Sequence, residues 1–269
     1  MISVSEYPPS PALAPFVACY TFGVFNTVAA EEAVIEIVPN GCPEVIIHLE
    51  DRFCKLPFGM GVERTPDFML IGLFSSRFRV QFNEPVPVFS IRLHPEALFT
   101  LFQLPGEKLI DGYENSDLIF GAGFRELCER IREEKCPTAM VALAEAYLAK
   151  CLHHPAAPTS YVARSAALMR HGPQHSIKEI SEQVCISQRQ LQRRFRREIG
   201  ISPKQYLKLV RINRVIRTLE NNPHLDLTSV AYHCGYYDQA HFIKDFKRIT
   251  GQLPGDFRKG ERGPVLRGA

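Results

Sequence analysis

Apolar residues recur along this chain with two different periods, and the period changes on the way from the N-terminus to the C-terminus. Phe78, Val80 and Phe82 alternate with Arg77, Arg79 and Gln81, and Phe89, Ile91 and Leu93 alternate with Ser90 and Arg92. Val45 to Leu49 is a further run dominated by apolar residues. Alternation of period two places one set of side chains on one face of a strand, so these segments predict β-strands in a sandwich or small barrel. Helical spacing follows. Pro95 opens a segment containing Leu98, Phe99, Leu101 and Phe102; Phe124, Leu127, Cys128 and Ile131 recur next, then Met140, Leu143, Ala144, Tyr147 and Leu148. Pro155, Pro158 and the small residues between them predict a linker.

Beyond that linker the pattern is helical and repeats itself. At an offset of 51 residues, Ser187 matches Asp238, Leu191 matches Phe242, Phe195 matches Phe246, Gly200 matches Gly251, Pro203 matches Pro254 and Tyr206 matches Phe257. Two copies are too few for a solenoid and suit a duplicated supersecondary unit. Each copy reads as helix, tight turn, helix. In the first, Ile177, Ile180 and Val184 form an apolar stripe, Cys185-Ile186 makes the turn, Ser187 caps the second helix and Gly200 stops it. In the second, Leu227, Val230, Ala231 and Cys234 form the stripe, Gly235-Tyr236-Tyr237 makes the turn, and Asp238 caps a helix ending at Gly251. A connecting helix starts at Ser202-Pro203, an N-cap followed by Pro at the first helical position, and ends at Asn221-Asn222-Pro223.

Composition sharpens this division. A chain of 269 residues favours two domains, and its 45% hydrophobic and 23% charged residues are those of a globular protein. No run approaches the roughly 20 apolar residues of a membrane span. The first ten residues lack the basic and apolar segments of a secretory signal, so a cytoplasmic location is expected, with the eight cysteines as reduced thiols. The net charge of +3 conceals an asymmetry. Residues 161–269 hold 20 Lys and Arg against 9 Asp and Glu, a net of +11, which leaves residues 1–160 at −8. That split predicts that one half meets a polyanion and the other does not.

The basic residues are not scattered. On the second helix of the first copy, Leu191, Phe195 and Ile199 share one face; Arg189, Arg193, Arg196 and Arg197 share the other, with Gln192 at its margin. In the second copy Phe242, Phe246 and Ile249 face inward, while Ala240, His241, Lys244, Lys247 and Arg248 face outward. Arg pairs with guanine and Gln with adenine in the major groove, and neighbouring basic groups hold phosphates. A connector of ~18 residues spans about 27 Å, near the ~34 Å turn of B-DNA. Two such helices could therefore enter successive major grooves.

At this point a family is recognisable. Residues 161–260 resemble the DNA-binding domain of AraC/XylS-type transcriptional regulators. The residues that carry this are Ile177-Lys178-Glu179-Ile180, Cys185-Ile186-Ser187, Leu191 to Arg196, Gly200-Ile201-Ser202-Pro203, Arg211 with Ala231, Gly235-Tyr236, His241 to Arg248, Gly251, and Pro254 to Phe257-Arg258. The resemblance implies a tandem helix-turn-helix with recognition helices at about 187–199 and 238–250. It implies base contacts by Arg189, Gln192, Arg193, Gln239, Ala240, His241 and Lys244. Arg196, Arg197, Lys247 and Arg248 are then candidates for phosphate. Two positions depart from the family pattern: Cys234 replaces a small aliphatic residue, and Ala240 can offer only a methyl group, so the second unit is expected to read fewer bases. Residues 1–157 resemble a cupin-like sensor domain at Pro39 to His48, Arg92 to Leu98 and Leu104 to Leu109.

The expected fold is thus two-domain α+β: an N-terminal β-barrel with helices and a C-terminal all-α tandem helix-turn-helix. Implied partners are promoter DNA, RNA polymerase and a small-molecule effector, with no cofactor, no metal and no membrane. The helices near 121–152 fit either ordinary core or a homodimer interface. A different class of function is a thiol or metal enzyme domain built on Cys42, Glu44, His48 and His94. Against it, a metal-binding cupin wants a close His pair with a following acid, nothing beside Cys42 obviously lowers its pKa, and there is no Gly-rich phosphate loop. An architectural DNA-binding protein without an effector is a third reading.

Overall fold

A computed structural model of the chain describes residues 3–25, 33–51, 54–58, 61–82, 84–152, 160–172, 175–222, 224–259 and 265–267. The expected linker prolines Pro155 and Pro158, and the helix-ending Pro223, lie outside the described residues. The N-terminal strands are β1 (Ser3–Tyr7), β2 (Val17–Phe25), β3 (Ala33–Val38), β4 (Glu44–His48), β5 (Lys55–Phe58), β6 (Gly61–Arg64), β7 (Phe68–Ile71), β8 (Phe78–Phe82), β9 (Val86–Leu93) and β10 (Tyr113–Asn115). They form two sheets, ordered β1-β2-β9-β4-β7-β10 and β3-β8-β5-β6. A strand near the chain end, β11 (Val265–Arg267), pairs in parallel with β3.

The six-stranded sheet has two different faces, set by the period-two pattern. Val45, Ile47, Phe89 and Ile91 point one way and pack on helices α1 (Ala97–Phe102), α3 (Ala122–Glu133) and α4 (Pro137–Cys151), reached through the short α2 (Ser116–Phe120). Phe124, Leu127, Cys128, Ile131, Met140, Ala144 and Leu148 are buried there, so these helical stripes include ordinary core. On the opposite face Met69, Val86 and Val88 pack with Ile35, Ile37, Val80 and Phe82 of the second sheet. Here the pairing sets Glu44, at the start of β4, opposite Arg92 and Thr21 opposite Ser90, which puts four polar residues on this otherwise apolar face.

The C-terminal helices are α5 (Tyr161–His171), α6 (Ile177–Gln183), α7 (Gln188–Ile199), α8 (Pro203–Asn221), α9 (Leu227–His233), α10 (Gln239–Thr250) and α11 (Pro254–Lys259). Three of them begin with a reciprocal capping box: Ser176 with Glu179, Ser187 with Gln190, and Ser202 with Gln205. Each satisfies two amides that the first turn would otherwise leave unpaired. Their apolar faces form one core around Phe195, Tyr206, Ile212, Ile216, Phe242 and Phe246. Val38 and Leu73 of the β-domain join that core, so apolar packing is continuous across the junction.

Candidate nucleic-acid interface

Both helix pairs are built by the same local devices. Val184 and Cys234 end the first helices, and the next residues, Cys185 (φ 59°) and Gly235 (φ 89°), both enter the left-handed region that reverses the chain. Cys185 adopts it with a side chain, where the second copy uses the residue suited to it. These pairs lie 50 residues apart, while the caps Ser187 and Asp238 lie 51 apart, so the second turn is one residue longer. The extra length falls at Tyr237, which is 82% exposed and meets Tyr232 edge-on.

The recognition helices follow. α7 buries Leu191, Phe195 and Ile199 and exposes Arg189, Gln192, Arg193, Arg196 and Arg197. α10 buries Phe242, Phe246 and Ile249 and exposes Gln239, Ala240, His241, Lys244, Lys247 and Arg248. Every residue expected to touch DNA is therefore on the outward face. The two sets are not equally free. His241 Nε2 lies 3.1 Å from the buried carboxylate of Asp245, to which Lys208 Nζ on α8 donates at 2.7 Å. Asp245 thus fixes the angle between α10 and the connecting helix, and draws His241 back toward its own helix. Arg197 stands 5.4 Å over the ring of Phe99 in the N-terminal domain, a cation–π contact. With 19 residues, α8 spans about 28 Å.

A second group of residues, with no signal in the sequence, joins the two domains. Glu96, beside α1, accepts from Arg170 of α5 at 2.6 and 2.9 Å, and Arg170 also donates to the Tyr206 hydroxyl of α8 at 3.1 Å. The pair is bidentate and nearly buried, with side-chain exposures of 5% for Glu96 and 14% for Arg170. Asn213 of α8 donates to the Pro39 carbonyl at 3.0 Å. Gly106 and Gly200 face each other so closely that a Cβ on Gly106 would lie 2.4 Å from the Ile199 carbonyl carbon. Partners 74 or 174 residues apart leave no local pattern to read.

The residues weighed as a thiol or metal centre do not converge. Glu44 accepts from Ser90 and faces Arg92 at 3.7 Å. His48 Nε2 lies 3.5 Å from the Cys54 sulfur. Burial pushes the Cys42 thiol up to about 11, and burial holds both His48 and His94 down to about 4. Among the described residues, no three His, Cys, Asp or Glu side chains are grouped to hold a metal ion.

Two helix-turn-helix units on a stiff connector, each with an exposed basic helix, define a tandem helix-turn-helix domain. Residues 164–260 match the family model described as a helix-turn-helix domain, and residues 5–115 match a domain of unknown function, DUF6597. Residues of this chain are 33% identical over 84 positions to the HTH-type transcriptional activator RhaS of Escherichia coli O157:H7, covering 31% of this chain and 30% of that protein. The RhaS of Salmonella arizonae is 33% identical over 81 residues, 30% of this chain and 29% of that protein. The chain thus spans about 30% of the length of the curated relatives it matches. The fold is similar to that of ToxT from Vibrio cholerae O395 bound to (E)-4-(8-methylnaphthalen-1-yl)but-3-enoic acid, with a TM-score of 0.51, 12% identity and coverage of 89% of this chain and 98% of that one. Residues 164–260 of this chain are a helix-turn-helix domain, joined to a β-rich N-terminal domain.

Proposed function

We propose that this chain is a sequence-specific, effector-responsive transcriptional regulator. In this reading residues 161–260 bind promoter DNA and residues 1–157 form the sensor. Arg189, Gln192 and Arg193 read one major groove, and Gln239, Ala240, His241 and Lys244 read the next. Arg196, Lys247 and Arg248 hold phosphates, joined by Arg197 when it leaves Phe99. RNA polymerase and a second copy of the chain are the protein partners, and the cytoplasm is the location; no helix among the described residues is long and apolar enough to cross a membrane. The observation that carries the proposal is the repeated, outward basic helix on a shared core.

Selection from a randomised duplex pool tests it. The full chain enriches one defined site, and its affinity for any duplex falls steeply with salt. Lys247→Ala weakens selected and unselected DNA alike and lowers the salt slope by about one. A pool that stays unenriched overturns the proposal.

A further inference from the structure

The inner faces of the two sheets leave a cavity of about 60 Å³, several times the ~10–15 Å³ that one water needs on the same measure. Its wall is mostly apolar: Phe25, Ile37, Ile46, Ile71, Phe78 and Val88 line it. One pole is different. Glu44, Ser90 and Thr21 also line it, joined in a chain in which Thr21 donates to Ser90 at 2.7 Å and Ser90 donates to the Glu44 carboxylate. Behind Glu44 lies Arg92, its Nη2 3.7 Å from Glu44 and its Nη1 3.5 Å from Glu6. Of the buried pair only Glu44 lines the cavity, and Glu6 is an exposed residue on the far side of Arg92, so the group presented at this pole is a carboxyl. Among the described residues, no Lys or Arg lines the cavity.

A buried acid on an apolar wall is poorly justified as structure, since apolar residues of similar volume fill such a site at least as well. Desolvation drives the Glu44 carboxyl up from its ordinary range, and Arg92 and the Ser90 hydroxyl draw it back. An incoming hydrogen-bond donor would relieve that desolvation, whereas an incoming carboxylate would meet like charge. A further stretch of the wall, Pro39, Asn40, Gly41 and Cys42, abuts the C-terminal helices. Gly41 stands against Tyr206 and Leu209 of α8, and the Pro39 carbonyl holds Asn213.

We infer that this cavity binds a small apolar molecule of about four to six heavy atoms with a hydrogen-bond-donating head, an amine or a hydroxyl, seated on Glu44, and that its occupancy reaches α8 through residues 39–42. This rests on the regulator reading above and names the chemistry and the route of its effector.

The test uses the full chain and three probes of one shape: isobutylamine, isobutanol and isobutyrate. Saturable increases in Tm are expected with the amine and the alcohol and none with isobutyrate. Glu44→Gln weakens the amine at least fivefold relative to the alcohol. Ser90→Ala, which removes a single oxygen, weakens both probes and guards against a Glu44 variant that fails to fold. Isobutylamine changes affinity for the selected duplex at least threefold, and Asn213→Ala abolishes that change. Equal binding of isobutyrate, or an unchanged amine preference in Glu44→Gln, overturns the ligand assignment. Probe binding with unchanged DNA affinity overturns the route. Specific DNA binding with no probe bound overturns the inference and leaves the regulator reading standing. Absence of specific DNA binding in every arm overturns that reading instead.

Discussion

The two helix-turn-helix units share a design and differ in how they are held. The first is pressed against the N-terminal domain: Gly106 meets Gly200, Arg197 covers Phe99, and Arg170 of the neighbouring helix clamps Glu96. The second meets the β-domain through a smaller contact, in which the Arg77 amide donates to the Ile249 carbonyl and the Arg77 side chain lies beside Gly251. It is braced instead from within, by Asp245 between Lys208 and His241. The first unit is richer in Arg and Gln, the groups that read bases; the second carries Ala240 and a partly engaged His241. The N-terminal domain is thus packed more extensively on the unit that carries more exposed Arg and Gln, so on the proposed function a change in that domain reaches the first unit before the second.

The largest way to break that asymmetry is Glu96→Ala. It strands a nearly buried guanidinium and is expected to lower unfolding free energy by about 3–5 kcal/mol in urea titration. Glu96→Gln, which keeps an acceptor, should lose less. A change below about 1 kcal/mol for the alanine variant would mean the clamp is idle.

Acid acts on the same junction. His94, close to Arg170 and His171, is held down to about 4 from 6.5, chiefly by burial. Between those values the unfolded chain binds the proton and the folded one does not. Stability therefore falls as pH drops from about 6.5 toward 4, by roughly 2 kcal/mol after allowing for partial exposure. His94→Gln should make the dependence of unfolding free energy on pH shallower in that window, where His48 contributes the rest; the same slope in both proteins contradicts the assignment.

A smaller effect separates the two units at the DNA. Arg193→Ala should lose about 1–3 kcal/mol at the selected site and relax one base pair. Ala240→Gly should alter specificity far less, because only a methyl contact goes. Comparable losses would show that the units read equally. Smallest is the cap: Ser187→Ala removes one reciprocal box and should cost about 1 kcal/mol of stability, seen as a shift in denaturation midpoint.

What could be read from sequence was what neighbouring residues decide. The stops at Gly200 and Gly251, the caps at Ser187, Ser202 and Asp238, and the faces of α7 and α10 all follow from residues within a few turns of one another. The alternation in β8 and β9 was legible for the same reason. Short strands such as β7, Phe68–Ile71, carry too few residues to show a period. The one-residue insertion at Tyr237 hid because the repeat aligns well on its second helix alone. Glu44 drew attention as an acid, but its meaning depends on Ser90 and Arg92 beside it in the sheet, and strand pairing is not written locally.

On the proposed function, two unlike units read one DNA face together. Selection and footprinting of the wild-type chain, Arg193→Ala and Lys244→Ala on the same duplex test it most directly. Two protected segments are expected, with centres about 10 bp apart. Arg193→Ala relaxes a base pair in one segment only, and Lys244→Ala disturbs the other. A single protected segment, or both variants relaxing the same base pair, would contradict it.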